Sequence, residues 1–252
     1  MSFDVAAEAY DRFMGRYSML LSPQFADFAA VREGQRVLDV GCGPGALTSE
    51  LVTRLGPAAV TAVDPSEPFV AAARARHPGV RVEQASAERL PFLDGEFDAA
   101  LAQLVVHFMS DPVAGLTEMV RVTGRDGVVA ACVWDHAGGQ GPLSQFWRAA
   151  RELDPDVDDE GRMAGAREGH LAELLEAAGL RAIEESTVSA TLEHATFDAW
   201  WDPFTLGVGP AGAHVASLDA EGQALLRERC RALFPDPPFV ITARAWAARG
   251  LA

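Results

Sequence analysis

The sequence predicts an α/β fold: a doubly wound, seven-stranded, mostly parallel sheet carrying a helical insertion. Three observations lead there. A buried strand, a glycine turn and a helix start follow one another between residues 36 and 56, and β-prone apolar runs then alternate with amphipathic stretches as far as residue 247. A chain of 252 residues with 49% hydrophobic content is also long enough to bury such a sheet. One domain over 1–252 is expected, with a core at about 31–134 and 168–252 and helical segments at about 1–30, 135–167 and 196–236.

In the first unit Val37, Leu38 and Val40 are apolar and β-prone, and Leu47, Leu51, Val52 and Leu55 recur at helical spacing up to Gly56. Between them Gly41, Gly43 and Gly45 permit positive φ and a close approach of ligand to backbone. Gly41-x-Gly43-x-x-Ala46 also satisfies the loose dinucleotide pattern, so the glycines alone do not name the ligand. Asp39 says more. It ends the strand two residues before Gly41, where its carboxylate would repel a pyrophosphate and attract an ammonium and a sulfonium, the two cations of S-adenosylmethionine (SAM). The alternative is that Asp39 only accepts hydrogen bonds from turn amides.

The stretch Val37-Leu38-Asp39-Val40-Gly41-Cys42-Gly43-Pro44-Gly45 resembles the first motif of the class I SAM-dependent methyltransferases. The later motifs are similar to those of the type 11 small-molecule branch, which includes the ubiquinone and menaquinone C-methyltransferases. The resemblance implies a Rossmann-like sheet, SAM as cofactor with S-adenosylhomocysteine as product, and methyl transfer to a small molecule. It also puts Gly41, Cys42, Gly43 and Gly45 against the cofactor. It is specific over about residues 34–134 and topological beyond.

Before this unit, residues 6–30 have helical composition and can cap the mouth of the site. In related methyltransferases a Tyr and an Arg from this region approach the methionine end of the cofactor, which implies Tyr10 and Arg16, with Arg16 pairing the carboxylate. Arg16 also reads as a solvated charge on an amphipathic face. The second strand, 59–63, ends in Asp64, placed to accept from both ribose hydroxyls of NAD or SAM, and Pro65 and Ser66 follow it toward a helix at 68–76. After a third strand at 80–84, residues 85–92 resemble the family's adenine-binding loop. Ser86 stands where the family usually has Asp, leaving the Ala87 backbone N–H as the clearer contact, with Glu88 next to it. The fourth strand and its entry, 96–103, bring Gln103 and Leu104 to the carboxyl end, bordering the methionine portion. The Pro-Pro-aromatic signature of base-amino methyltransferases and the Pro-Cys nucleophile of the cytosine-C5 type are both missing here.

Asp111 and Pro112 open a helix as N-cap and N1, and residues 124–127 turn into a fifth strand at 128–134, where the family commonly has Pro-Gly-Gly. A helix at 143–153 precedes the acidic run 154–160. As a calcium loop that run has Asp159 in place of the required Gly and Gly165 in place of the bidentate Glu, so a solvated linker is expected, and no metal. A helix at 170–180 and strands at 181–194 and 239–247 complete the core. Between the last two lie helical pieces at 197–204 and 219–233, in a region that commonly covers the acceptor pocket in the family. Phe146, Trp147, Trp200, Trp201 and Phe204 either line a pocket for a partly hydrophobic acceptor or hold the insertion onto the sheet.

A net charge of −15 opposes binding to nucleic acid or anionic lipid. Cys42, Cys132 and Cys230 show neither disulfide nor metal spacing. Met1 to Ala6 lack a leader pattern, and no apolar run is long enough to span a membrane, so a soluble, cytoplasmic protein is expected. If the acceptor must lose a proton, His107 and His136, which follow strand ends, are the candidate bases; each also reads as a packing or loop histidine. Two other functions stay open, a SAM-binding regulator without catalysis and a nucleotide-dependent oxidoreductase.

Overall fold

The structure, a computed structural model, describes residues 7–252. Residues 1–6, on which the reading of the N-terminus rests, lie outside them. The described chain opens with α1 (Ala7–Tyr10), one stretch of π-helix at Asp11–Gly15, and α2 (Arg16–Phe28). Next come β1 (Val37–Val40), α3 (Ala46–Leu55), β2 (Val60–Asp64), α4 (Glu67–Arg76), β3 (Arg81–Gln84) and β4 (Phe97–Gln103). α5 (Pro112–Val122), β5 (Thr123–Trp134), α6 (Ser144–Leu153), α7 (His170–Ala177) and β6 (Arg181–His194) follow. The insertion holds α8 (Phe197–Trp201), α9 (Gly209–Ser217) and α10 (Ala220–Ala232), and β7 (Phe239–Leu251) ends the sheet.

The seven strands run in the order β3-β2-β1-β4-β5-β7-β6. β1 to β5 pair in parallel, and β7 enters antiparallel between β5 and β6. Chain order reverses between β1 and β4, so a crevice opens beyond their carboxyl ends. The expected elements are present, and Asp111 caps α5 by accepting from Ala114 N–H at 3.0 Å. Two readings change. β5 begins at Thr123, because residues 124–127 stay in the strand and Gly127 accepts from Ala252 N–H beside β7. α9 has no counterpart in the sequence pattern.

The alternation of β1 decides what faces the site. Leu38 and Val40 point into the core under α5 and α7, while Val37 points to the opposite core under α2 and α3. Asp39 shares the Val37 face and meets Thr48 of α3. By the same period Leu101 and Gln103 of β4 face α2. A third core, formed by α6, α8, α9 and α10, is built from the insertion aromatics. No helix of the described residues is long and apolar enough to cross a membrane.

Candidate functional site

The turn after β1 is pinned by Cys42 N–H donating to Val63 O at 2.9 Å and Gly45 N–H donating to Cys42 O at 3.0 Å. Gly41 has φ +69°, and a Cβ there would lie 2.5 Å from the Val105 methyls. Gly43, at φ +53°, faces open space instead. That space is a cleft of about 380 Å³ lined by Gly41, Gly43, Asp64, Pro65, Ser66, Gln103 and Leu104, with Tyr10, Phe69, Gln84 and Val105 around them.

Asp64 lines it and is 6% exposed. Its Oδ2 accepts from Gly43 N–H at 2.9 Å and its Oδ1 from Ser66 N–H at 2.8 Å, which leaves each oxygen with capacity for a ligand hydroxyl. Burial raises its pKa, and the two backbone donors oppose that rise. Gln103 is held by its amide nitrogen, which donates to Ser18 O at 3.2 Å and Ser22 Oγ at 3.0 Å; its buried Oε1 has no partner. Leu104 sits at φ +62°, a conformation that branched side chains rarely adopt and that clusters at functional sites.

Two smaller cavities adjoin the cleft, and Tyr10 lines all three. One, of about 20 Å³, is shared by Asp39, Gly41, Cys42 and Gln103. Asp39 is 1% exposed and accepts from Thr48 Oγ1 at 2.6 Å. Burial, helped by the nearby Asp64, pushes its pKa up to about 7 in spite of that hydrogen bond. The Cys42 thiol, also buried, is raised well above its ordinary value and is no thiolate.

The other, of about 40 Å³, is where His107 and His136 meet, their ring centres 5.8 Å apart. Glu160 lines it as well, which corrects the reading of the acidic run as a solvated linker. Glu160 is 3% exposed because its Oε2 accepts from Trp147 Nε1 at 2.7 Å. Only the neighbours behave as surface: Asp159 caps the turn Glu160–Arg162 and pairs with Arg151.

Not every expected contact reaches the cleft. Arg16 lines none of the three cavities; its Nη1 donates to Ala199 O at 3.2 Å, so it ties α2 to the insertion. Ser86, Ala87 and Glu88 also stay outside the lining, Ala87 packed in the core and Glu88 accepting from Ser110 N–H at 2.8 Å. Gln84 is the part of that loop region that reaches the cleft. Gly45 packs against His77 rather than lining a cavity. Phe146, Trp147, Trp200, Trp201 and Phe204 pack on one another in the insertion core and line none of these three cavities, so the pocket reading of these rings gives way to the packing one.

Residues 38–131 match a family model described as a methyltransferase domain. A malonyl-[acyl-carrier protein] O-methyltransferase of Erwinia billingiae is 37% identical over 128 residues, 51% of this chain and 50% of that protein. A demethylmenaquinone methyltransferase of Beutenbergia cavernae is 35% identical over 120 residues, 48% of this chain and 46% of its own length. The chain thus spans about half the length of the curated relatives it matches. The crystal structure of YcgJ from Bacillus subtilis superimposes with a TM-score of 0.58 at 20% identity, covering 91% of this chain and 97% of YcgJ. A phosphoethanolamine N-methyltransferase of Haemonchus contortus, solved with S-adenosylhomocysteine, gives 0.58 at 16% identity, covering 97% of this chain and 56% of that one. At such identities these two speak for the fold alone. The matched segment, the relatives' names and the sheet order agree on a methyltransferase domain over residues 38–131.

Proposed function

We propose that the protein transfers a methyl group from SAM to a small, partly hydrophobic acceptor. The observation that carries this reading is the polar set around the cleft: acceptors where the cofactor has donors, and no phosphate-binding group at the turn. Asp64, with both oxygens already oriented, would take the ribose hydroxyls. Gln103 Oε1, buried without a partner, and Asp39 would take the cationic amino-acid end. The open face at Gly43 admits the ligand against the backbone. When bound, SAM supplies an electrophilic methyl on a positively charged sulfur. The residues around it contribute chiefly by holding acceptor and methyl in line, which alone is a large share of such a barrier. A pyrophosphate at the turn would meet Asp39, which disfavours the oxidoreductase reading. Three buried free cysteines support a reducing, cytoplasmic setting.

The test is release of S-adenosylhomocysteine on a panel of metabolites. Turnover confined to nucleic acid or protein contradicts the acceptor class, and SAM binding with no turnover on a broad panel favours a regulator.

Asp39 makes a separate prediction. It holds its proton up to about pH 7 in the folded protein, against 3.8 for an ordinary Asp. The stability it contributes is therefore complete below about pH 4 and is lost as pH rises through 7. Asp39→Asn is expected to raise the Tm of the free protein, with a gain that grows between about pH 4 and 7 and then levels off. The same variant is expected to weaken SAM binding. At pH 6.5 the wild type should release a proton on binding SAM, as a cation placed beside Asp39 ionises it, and Asp39→Asn should release none. Calorimetric titration in two buffers of different ionisation enthalpy reads this directly. Equal proton release by both proteins would remove Asp39 from the site.

A further inference from the structure

The cavity shared by His107, His136 and Glu160 holds more than in-line transfer requires. Phe13, Met14, Leu143 and Val208 make much of its wall apolar, and His107, His136 and Glu160 line it beside them. Glu160 Oε1 faces His136 Nε2 at 4.0 Å. That nitrogen is buried without a hydrogen-bond partner, and so is His107 Nδ1. Trp134, on the same lining, has its Nε1 buried without a partner as well; an unpaired buried polar atom costs about 1–3 kcal/mol, so three of them around one small cavity call for a polar ligand group. The volume of about 40 Å³ suits the reacting end of an acceptor, a polar atom with the carbons that bear it.

Resting on the methyl-transfer reading, we propose that this cavity receives a neutral hydroxyl acceptor, a phenol or enol, whose proton passes to His136 Nε2 while Glu160, as a positioning residue, faces the imidazolium that forms. A carboxylate acceptor would meet Glu160, with Asp135 and Asp159 close behind, in a chain of net charge −15. An alkylammonium carries no free electron pair and must shed its proton before it can react, so it reaches a buried cavity as a nucleophile only from its minor neutral form. A hydroxyl enters neutral and is a poor nucleophile until its proton leaves, which is the step that a buried neutral base serves. The step balances: the acceptor oxygen forms the new bond to the methyl carbon, its proton goes to His136, and the pair of the broken S–CH3 bond stays on sulfur.

The charges around the two imidazoles choose between them. Burial holds both below their ordinary pKa, so both are neutral and able to accept near pH 7. His136 is pulled back up by Glu160, Asp135 and Asp159, whereas His107 gains no such support and is pushed further down by His136. The remaining ionisable neighbours do not reverse this. Asp135 is paired with Arg244 of β7, Asp159 with Arg151 of α6, and Tyr10, on the same wall, is raised to about 12 and stays neutral. His136 therefore bears the charge, and His107 is left to orient the acceptor.

The experiment begins with calorimetry to establish SAM binding by the full chain and by the variants His136→Asn and Glu160→Gln. Phenols of graded acidity are then assayed for S-adenosylhomocysteine release, with benzoate and benzylamine as ring-matched carboxylate and amine. Phenols should be methylated in preference to both. His136→Asn should lower kcat/KM by roughly 10²–10³-fold for phenols that are un-ionised at the assay pH, and far less for phenols already ionised. Glu160→Gln keeps an acceptor for Trp147 Nε1. It should move the rising limb of kcat/KM against pH to lower pH, with a matching downward shift of the His136 titration followed by NMR without substrate. Equal losses across the phenol series with an unmoved limb would mean a purely structural role and overturn the proposal. Preference for benzoate or benzylamine, or no phenol methylation by the SAM-loaded protein, would overturn it too. Failure of the wild type to bind SAM would instead sink the methyltransferase reading beneath it.

Discussion

Trp200→Ala is expected to destabilise the protein by about 3–5 kcal/mol, the range for truncating a large aromatic in a packed interior. Trp200 is 1% exposed, and its ring lies 4.6 Å from Phe234 and 4.7 Å from Phe204, centre to centre. Phe204 in turn stacks on Phe146 of α6 at 4.6 Å. Removing the indole therefore opens a cavity in the core that fastens α8, α9 and α10 to the sheet. The midpoint of thermal unfolding should fall by roughly 6–20 °C for a chain of this size. SAM affinity, measured below the new midpoint, should change far less, because no ring of this cluster lines the cleft. A specific rise in KM with unchanged Tm would instead restore the substrate-contact reading.

The second large effect is on the cofactor. Asp64→Ala is expected to weaken SAM binding by about 1.5–3 kcal/mol, the scale of hydrogen bonds to a charged acceptor, or roughly 10- to 150-fold in Kd. Two losses add. The ribose hydroxyls lose their acceptor, and Gly43 N–H and Ser66 N–H lose the carboxylate that fixes the turn. Ser86→Ala should matter much less, since Ser86 lies outside the cleft lining. Equal affinity of the wild type and Asp64→Ala in a calorimetric titration would show the ribose assignment to be wrong.

Local chemistry made the first half of the chain legible. β-branched runs ending in Asp39 and Asp64, glycines that only a tight turn requires, and an Asp-Pro helix start each carry their reason within a few residues. What depended on distant partners was not legible. Glu160 sits among four other carboxylates between residues 154 and 160, and nothing in that run tells which one turns inward; Trp147 decides it. The π-helix at Asp11–Gly15 shifts the helical phase between Tyr10 and Arg16, so Tyr10 faces the cleft while Arg16 turns to Ala199. α9 is rich in Gly, Ala and Pro and has no apolar period to read. It is held by close packing, Gly212 lying so near Gly207 that a Cβ would approach its carbonyl carbon to 2.7 Å. The fold of the aromatic insertion followed the same rule: composition announced a cluster of rings, and only the tertiary structure said that they face one another.

On this reading the cleft between the glycine turn, Asp64 and Gln103 takes SAM. Calorimetric titration of the wild-type chain with SAM, S-adenosylhomocysteine and NAD tests it most directly. Saturable binding of the first two at one site per chain, weakened by Asp64→Ala, and no binding of NAD are the expected results. Tight binding of NAD with no response to SAM would contradict it.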